Sequence, residues 1–149
     1  RAVGHGMRIC LIQFMKNYPY GEIKSLDRYT HLITLSRFGN DDFVIKKQPP
    51  SHEDLNSARQ GIDFAEDCFT SKKYDIVILD EICVSIYFKI VQLNDVLSLI
   101  GKKPDNVELI LTGRYCPDEL IEKADLVTEM KEIKHYYRDG VEARDGIEK

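Results

Sequence analysis

The sequence predicts a single α/β domain built on a parallel sheet flanked by helices. Three observations carry that expectation. Short runs rich in Ile, Leu and Val recur along the chain, they alternate with segments of helical periodicity, and 149 residues at 43% hydrophobic content suffice for one buried core. No internal repeat, low-complexity tract or domain boundary interrupts the pattern, so residues 1–149 read as one domain.

The first strand is expected over residues 7–15 (MRICLIQFM), a nearly continuous apolar run that follows Gly4-His5-Gly6, a sequence suited to turning the chain. A loop with Pro19 comes next, and residues 31–38 (HLITLSRF) alternate well enough for a second strand, closed by Gly39-Asn40-Asp41-Asp42. From Ser51 the period changes. Ser51 and Asp54 have the spacing of a capping box, and Leu55, Ala58, Ile62, Ala65 and Phe69 recur on one helical face, which predicts a helix over 51–70. Residues 74–80 (YDIVILD) form a buried strand ending in acid. A helix with Leu93, Val96, Leu97 and Ile100 on one face follows and stops at Gly101. Residues 107–112 (VELILT) are the next strand, 117–123 a short helix opened by Pro117, and 126–130 (LVTEM) a last strand. The charged tail, about 136–149, is not expected to pack into the core.

Charge and composition exclude several classes. With 21 Lys+Arg against 25 Asp+Glu the formal charge is −4, and no basic block is present, so nucleic acid is not an expected partner. No apolar run approaches the length of a bilayer span and no signal peptide is visible, so a membrane is not expected either and a cytoplasmic location is. Cys10, Cys68, Cys83 and Cys116 lack metal-ligand spacing and read as buried reduced thiols, in keeping with a reducing compartment.

Ligands of parallel sheets bind beyond the carboxyl ends of the strands. Two signals fall there. The strand Ile76-Val77-Ile78-Leu79 delivers Asp80 and Glu81, carboxylates that can hold Mg²⁺ directly or through water, or can simply cap the next helix. The strand that ends at Thr112 continues into Gly113-Arg114, where a guanidinium can clamp phosphate oxygens or can be an ordinary surface arginine. Adjacent parallel strands end on one side, so Glu81, Thr112 and Arg114 are expected to converge.

Several ordered blocks resemble the ATP:corrinoid adenosyltransferase family: Arg1-Ala2-Val3-Gly4-His5-Gly6, Gln13-Phe14-Met15-Lys16, Leu79-Asp80-Glu81, Leu111-Thr112-Gly113-Arg114, Ala124-Asp125-Leu126-Val127-Thr128-Glu129-Met130, Lys134-His135, and residues 139–148. Together they cover essentially the whole chain. The resemblance implies a P-loop NTPase, RecA-like, three-layer architecture. It also implies transfer of the 5′-deoxyadenosyl group of ATP to a cobalt(I) corrinoid, with triphosphate as leaving group, in adenosylcobalamin biosynthesis or salvage. Cobalt(I) would be the nucleophile. The protein would align the substrates, stabilise the leaving group and exclude water. On the same basis Glu81, with Asp80, would hold Mg²⁺ or Mn²⁺. Arg1, Thr112 and Arg114 would bind ATP and its phosphates. Phe43 would pack beside the corrin and help remove its lower axial ligand, and His135 would position substrate. An electron-donating reductase or flavoprotein and a homodimer are the implied partners.

The chain also departs from that family. The glycine-rich loop ending in Lys-Thr-Thr is expected just before a helix that finishes at Arg1-Ala2-Val3, so the first strand and phosphate loop are missing from this sequence, and a truncated sequence is expected. Ile45 stands where tryptophan is usual, Cys83 where Asn or Thr is usual, and Arg144 in place of glutamine. The alternatives are therefore a corrinoid-binding paralogue without catalysis and an unrelated P-loop kinase or ATPase.

Overall fold

Backbone pairing along two apolar runs sets the frame. The computed structural model describes residues 1–16, 18, 20–40 and 49–147. In it Ile9–Phe14 forms β1, Ile33–Phe38 β2, Ile76–Asp80 β3 and Glu108–Leu111 β4. All pairings are parallel and the order is β2-β1-β3-β4, so the expected α/β architecture is present: a parallel sheet flanked by helices in a three-layer, P-loop NTPase-like arrangement. Central strands of such a sheet are covered on both faces, which explains why β1 and β3 read as nearly continuous apolar runs. Cys10, Ile12, Phe14, Val77 and Leu79 have no solvent exposure and form the centre of the core.

The helices are Gly21–Leu26 (α1), His52–Thr70 (α2), Ile82–Tyr87 (α3), Leu93–Gly101 (α4) and Asp118–Lys123 (α5). α2 begins as its capping box requires: Ser51 Oγ accepts from Asp54 N–H at 3.2 Å, and Asp54 Oδ2 accepts from Ser51 N–H at 2.8 Å. Its buried face is Ala58, Gly61, Ile62, Ala65, Cys68 and Phe69. Gly61 is required by close approach, because a Cβ there would lie 2.6 Å from Phe14 Cε1 and 3.1 Å from Phe38 Cδ2. A six-residue helix such as α1 or α3 is too short to declare itself by periodicity, and neither was separable in the sequence.

Two expectations are corrected. Residues 126–130 form no strand; Leu126 is 85% and Met130 95% exposed, and the segment has no strand partner among the described residues. A β-pattern without a neighbouring backbone to bond to stays irregular. Among the cysteines Cys116 is exposed, whereas Cys10, Cys68 and Cys83 are buried as expected.

Candidate functional site

Register places three polar residues side by side at the carboxyl edge of the sheet. Gln13 of β1 pairs with Asp80 of β3, and Leu79 pairs with Leu111 of β4, so Asp80 and Thr112 occupy the next positions along their strands. Asp80 is the hub. Its Oδ2 accepts from Lys16 Nζ at 2.7 Å and from Gln13 Nε2 at 3.1 Å, and its Oδ1 accepts from Thr112 Oγ1–H at 2.7 Å. Thr112 Oγ1 in turn accepts the Glu81 N–H at 3.0 Å. Burial by itself would raise the Asp80 pKa, but the Lys16 and Thr112 hydrogen bonds, the Lys16 charge and the Gln13 bond together hold it below the usual carboxylate range. Burial would likewise lower the Lys16 pKa, yet the bond to Asp80 and the charges of Asp80, Glu81 and Glu22 raise it above the ordinary value. Both groups are ionised at neutral pH.

Glu81 differs from its neighbour. Its backbone is left-handed, with φ 63°, a conformation that costs a non-glycine residue about 1 kcal/mol or more and that the Thr112 bond holds in place. The Glu81 carbonyl caps α3, accepting from Ser85 N–H and Ser85 Oγ–H, both at 3.0 Å. The Glu81 carboxylate has no hydrogen-bond or ion-pair partner among the described residues and is half-buried. The turn after β4 is equally constrained: Gly113 has φ 128°, and a Cβ there would stand 3.1 Å from both Cys83 Cβ and Val84 N. Cys83 N–H donates to the Thr112 carbonyl at 3.2 Å, which ties the two strand ends together. The Cys83 thiol is pushed up to about 12 by burial and by the neighbouring Cys116, so it adds no charge beside Glu81.

The structure therefore brings Asp80, Glu81 and Thr112 into one network, with Arg114 exposed two residues beyond Thr112 on the same edge. Arg1 and His135 are not in it. Arg1 precedes a turn in which Ala2 O accepts from His5 and Met7 N–H, just ahead of the amino end of β1. β1 runs from beyond that turn to the carboxyl edge, where Gln13 pairs with Asp80. His135 is exposed and its Nδ1 accepts from Tyr137 N–H at 3.1 Å, capping a short 3₁₀ turn, Tyr136–Asp139. Phe43 and Ile45 lie outside the described residues.

Sequence reasoning assigned no role to Gln13 or Lys16. Their signal was a long polar side chain inside, and just after, a strand that is otherwise apolar. Gln13 is 2% exposed, and its Oε1 is a buried acceptor without a hydrogen-bond partner. Among the described residues no three His, Cys, Asp or Glu side chains cluster as a closed metal site. One carboxylate at a strand end without a partner among the described residues fits Mg²⁺, which keeps several waters and is commonly bound by one or two carboxylates plus substrate phosphates.

A three-layer parallel sheet flanked by helices, with an acidic strand end and a Thr-Gly-Arg turn beside it, defines a class: α/β domains of P-loop NTPase-like architecture. Within that class the sequence matches the ATP:corrinoid adenosyltransferase family BtuR/CobO/CobP over residues 1–148, and the chain belongs to that enzyme family. It is 30% identical over 149 residues to the corrinoid adenosyltransferase of Escherichia coli K12, covering 99% of this chain and 74% of that protein. It is 29% identical over 150 residues to the corrinoid adenosyltransferase of a Sinorhizobium species, covering 99% and 70%. An uncharacterised Nostoc protein is 32% identical over 148 residues, which cover 91% of this chain and 39% of that protein. No helix among the described residues is long and apolar enough to cross a membrane.

Proposed function

We propose that the protein transfers the 5′-deoxyadenosyl group of ATP to the cobalt(I) of a corrinoid and releases inorganic triphosphate. Family membership over residues 1–148 carries the adenosylation of corrinoids. The structural observation that supports the finer reading is the Glu81 carboxylate, held at the carboxyl edge in a left-handed turn and without a hydrogen-bond or ion-pair partner among the described residues, while both oxygens of Asp80 beside it accept hydrogen bonds.

The reduced cobalt of the substrate brings the electron pair that forms the bond to C5′, and the C5′–O bond breaks with its electrons leaving on the triphosphate. No proton moves at carbon, so the site has no need of a general base. Its residues act by position and charge. Glu81, with Asp80 behind it, would hold Mg²⁺ or Mn²⁺, which would neutralise phosphate charge. Thr112 fixes the Glu81 backbone, and Arg114 reaches the phosphate oxygens from the neighbouring strand end. Phe43 and His135 are assigned to the corrinoid and adenosine side on the family resemblance alone. The same resemblance supports a cytoplasmic homodimer fed by an electron-donating reductase or flavoprotein.

The test follows cobalt(I) cobalamin to its adenosylated product by absorbance, in the full-length protein with ATP and Mg²⁺, and assays triphosphate in parallel. One triphosphate per adenosylated corrinoid is expected. ATP consumption without corrinoid would show a kinase or ATPase instead, and cobalamin binding without product would show a carrier.

A further inference from the structure

We propose that Lys16 contacts the phosphate chain of the substrate, and that Asp80 is the residue that positions Lys16 for this rather than a direct ligand of the cation. The inference rests on the nucleotide reading above and divides the two acids of the strand end by role: Glu81 faces the cation and Asp80 orients the lysine.

Geometry separates the two acids. Both Asp80 oxygens are in use, Oδ2 by Lys16 and Gln13 and Oδ1 by Thr112. A cation bound directly at Oδ2 would displace Lys16 or Gln13, and one at Oδ1 would share that oxygen with the Thr112 hydroxyl, whose shift would loosen the Glu81 N–H that it accepts. A positioning role leaves every one of these bonds in place. The lysine is held from both ends. It follows Met15, whose left-handed φ of 58° ends the strand and whose N–H donates to the Phe38 carbonyl at 2.9 Å, while its ammonium is fixed by Asp80. The Lys16 side chain is 24% exposed, so the lysine is fixed by Asp80 without being sealed in the core. An ammonium has three donors; Asp80 takes one, and no other acceptor holds it among the described residues.

An ammonium fixed in advance suits the chemistry. Negative charge grows on the departing phosphate oxygens as the C5′–O bond breaks, and a donor that needs no reorganisation stabilises that charge more than a mobile surface lysine would. The buried Gln13 amide, bonded to the same Asp80 oxygen, resists the swing that would let the carboxylate release Lys16.

The experiment compares wild-type full-length protein with Lys16→Met, Lys16→Arg, Asp80→Asn and Glu81→Gln, after circular dichroism has confirmed folding. Calorimetric titrations use MgATP, inorganic triphosphate with Mg²⁺, and adenosine. Lys16→Met should weaken triphosphate binding tenfold or more, with kcat falling by about 10²–10³, the range for losing one fixed donor to developing charge. Adenosine binding should stay unchanged and Lys16→Arg should restore part of the loss. Asp80→Asn should lower triphosphate affinity while leaving the Mg²⁺ concentration for half-maximal activity in place, whereas Glu81→Gln should shift it. A second readout needs no variant: triphosphate should slow acetylation of Lys16 in the wild-type protein, read by mass spectrometry. Wild-type triphosphate affinity in Lys16→Met, unprotected Lys16, or an Mg²⁺ shift in Asp80→Asn as large as in Glu81→Gln would each overturn the inference and leave the enzyme reading standing. A wild-type protein that binds neither MgATP nor triphosphate would overturn both.

Discussion

Thr112 has one hydroxyl and uses it twice, donating to Asp80 Oδ1 and accepting from Glu81 N–H. Thr112→Val keeps the shape but leaves a partly buried carboxylate oxygen and a backbone N–H without their partner, which should cost about 1–3 kcal/mol. Thr112→Ser should cost less. Urea denaturation of both variants checks this, and equal midpoints would show that the bridge contributes nothing. The Lys16–Asp80 pair sets a pH window on stability. Asp80 is depressed in the folded state, so its contribution is present above the unfolded carboxylate pKa and is lost as pH falls through the lower folded value. Lys16 is raised, so its contribution is present below the unfolded lysine pKa and is lost as pH rises through the higher folded value. In buffer with chelator, the difference in stability between wild type and Lys16→Met should therefore be largest between these limits and shrink in acid and in strong alkali.

At the scale of elements, contact between α2 and the sheet depends on one missing side chain. The Gly61 Cα faces the fully buried Phe14 ring and the partly buried Phe38 ring, and the Phe14 ring has no solvent to retreat into. Gly61→Ala improves helix propensity by about 1 kcal/mol in principle. The 2.6 Å contact it would create is overpacking, which typically costs about 1–3 kcal/mol, so the net effect should be a loss of stability. A thermal melt that rises in Gly61→Ala would mean that α2 can shift outward freely. Much of α2 was legible beforehand because capping and a helical apolar stripe are local properties of the chain. Gly61 was not, since a glycine in a helix looks like a weakness until the strand behind it is known.

Across the whole molecule, stability and apolar content come apart. Leu79→Ala, in the fully buried centre of β3, should cost about 2–5 kcal/mol, whereas Met130→Ala, 95% exposed, should change stability by no more than about 0.5 kcal/mol. Denaturant unfolding of the two variants side by side tests whether residues 126–130 belong to the cooperative core. A large cost for Met130→Ala would restore the strand that the sequence pattern suggested.

Apolar runs and helical stripes were enough to determine the parallel α/β class, strands β1 to β4, the start of α2 and the acids at the end of β3, because each is written within a few consecutive residues. The ordered blocks likewise pointed to the corrinoid adenosyltransferase family that the full match bears out. Tertiary structure alone decided which polar groups meet. Parallel register aligned Gln13 with Asp80 and brought Thr112 beside them, and drew Lys16 onto a carboxylate 64 residues away, while Arg1 lies in the segment just ahead of β1. The physical reason is range. Periodicity reports how a segment faces its surroundings, whereas register, edge and strand partnership depend on distant segments whose pairing no local pattern encodes.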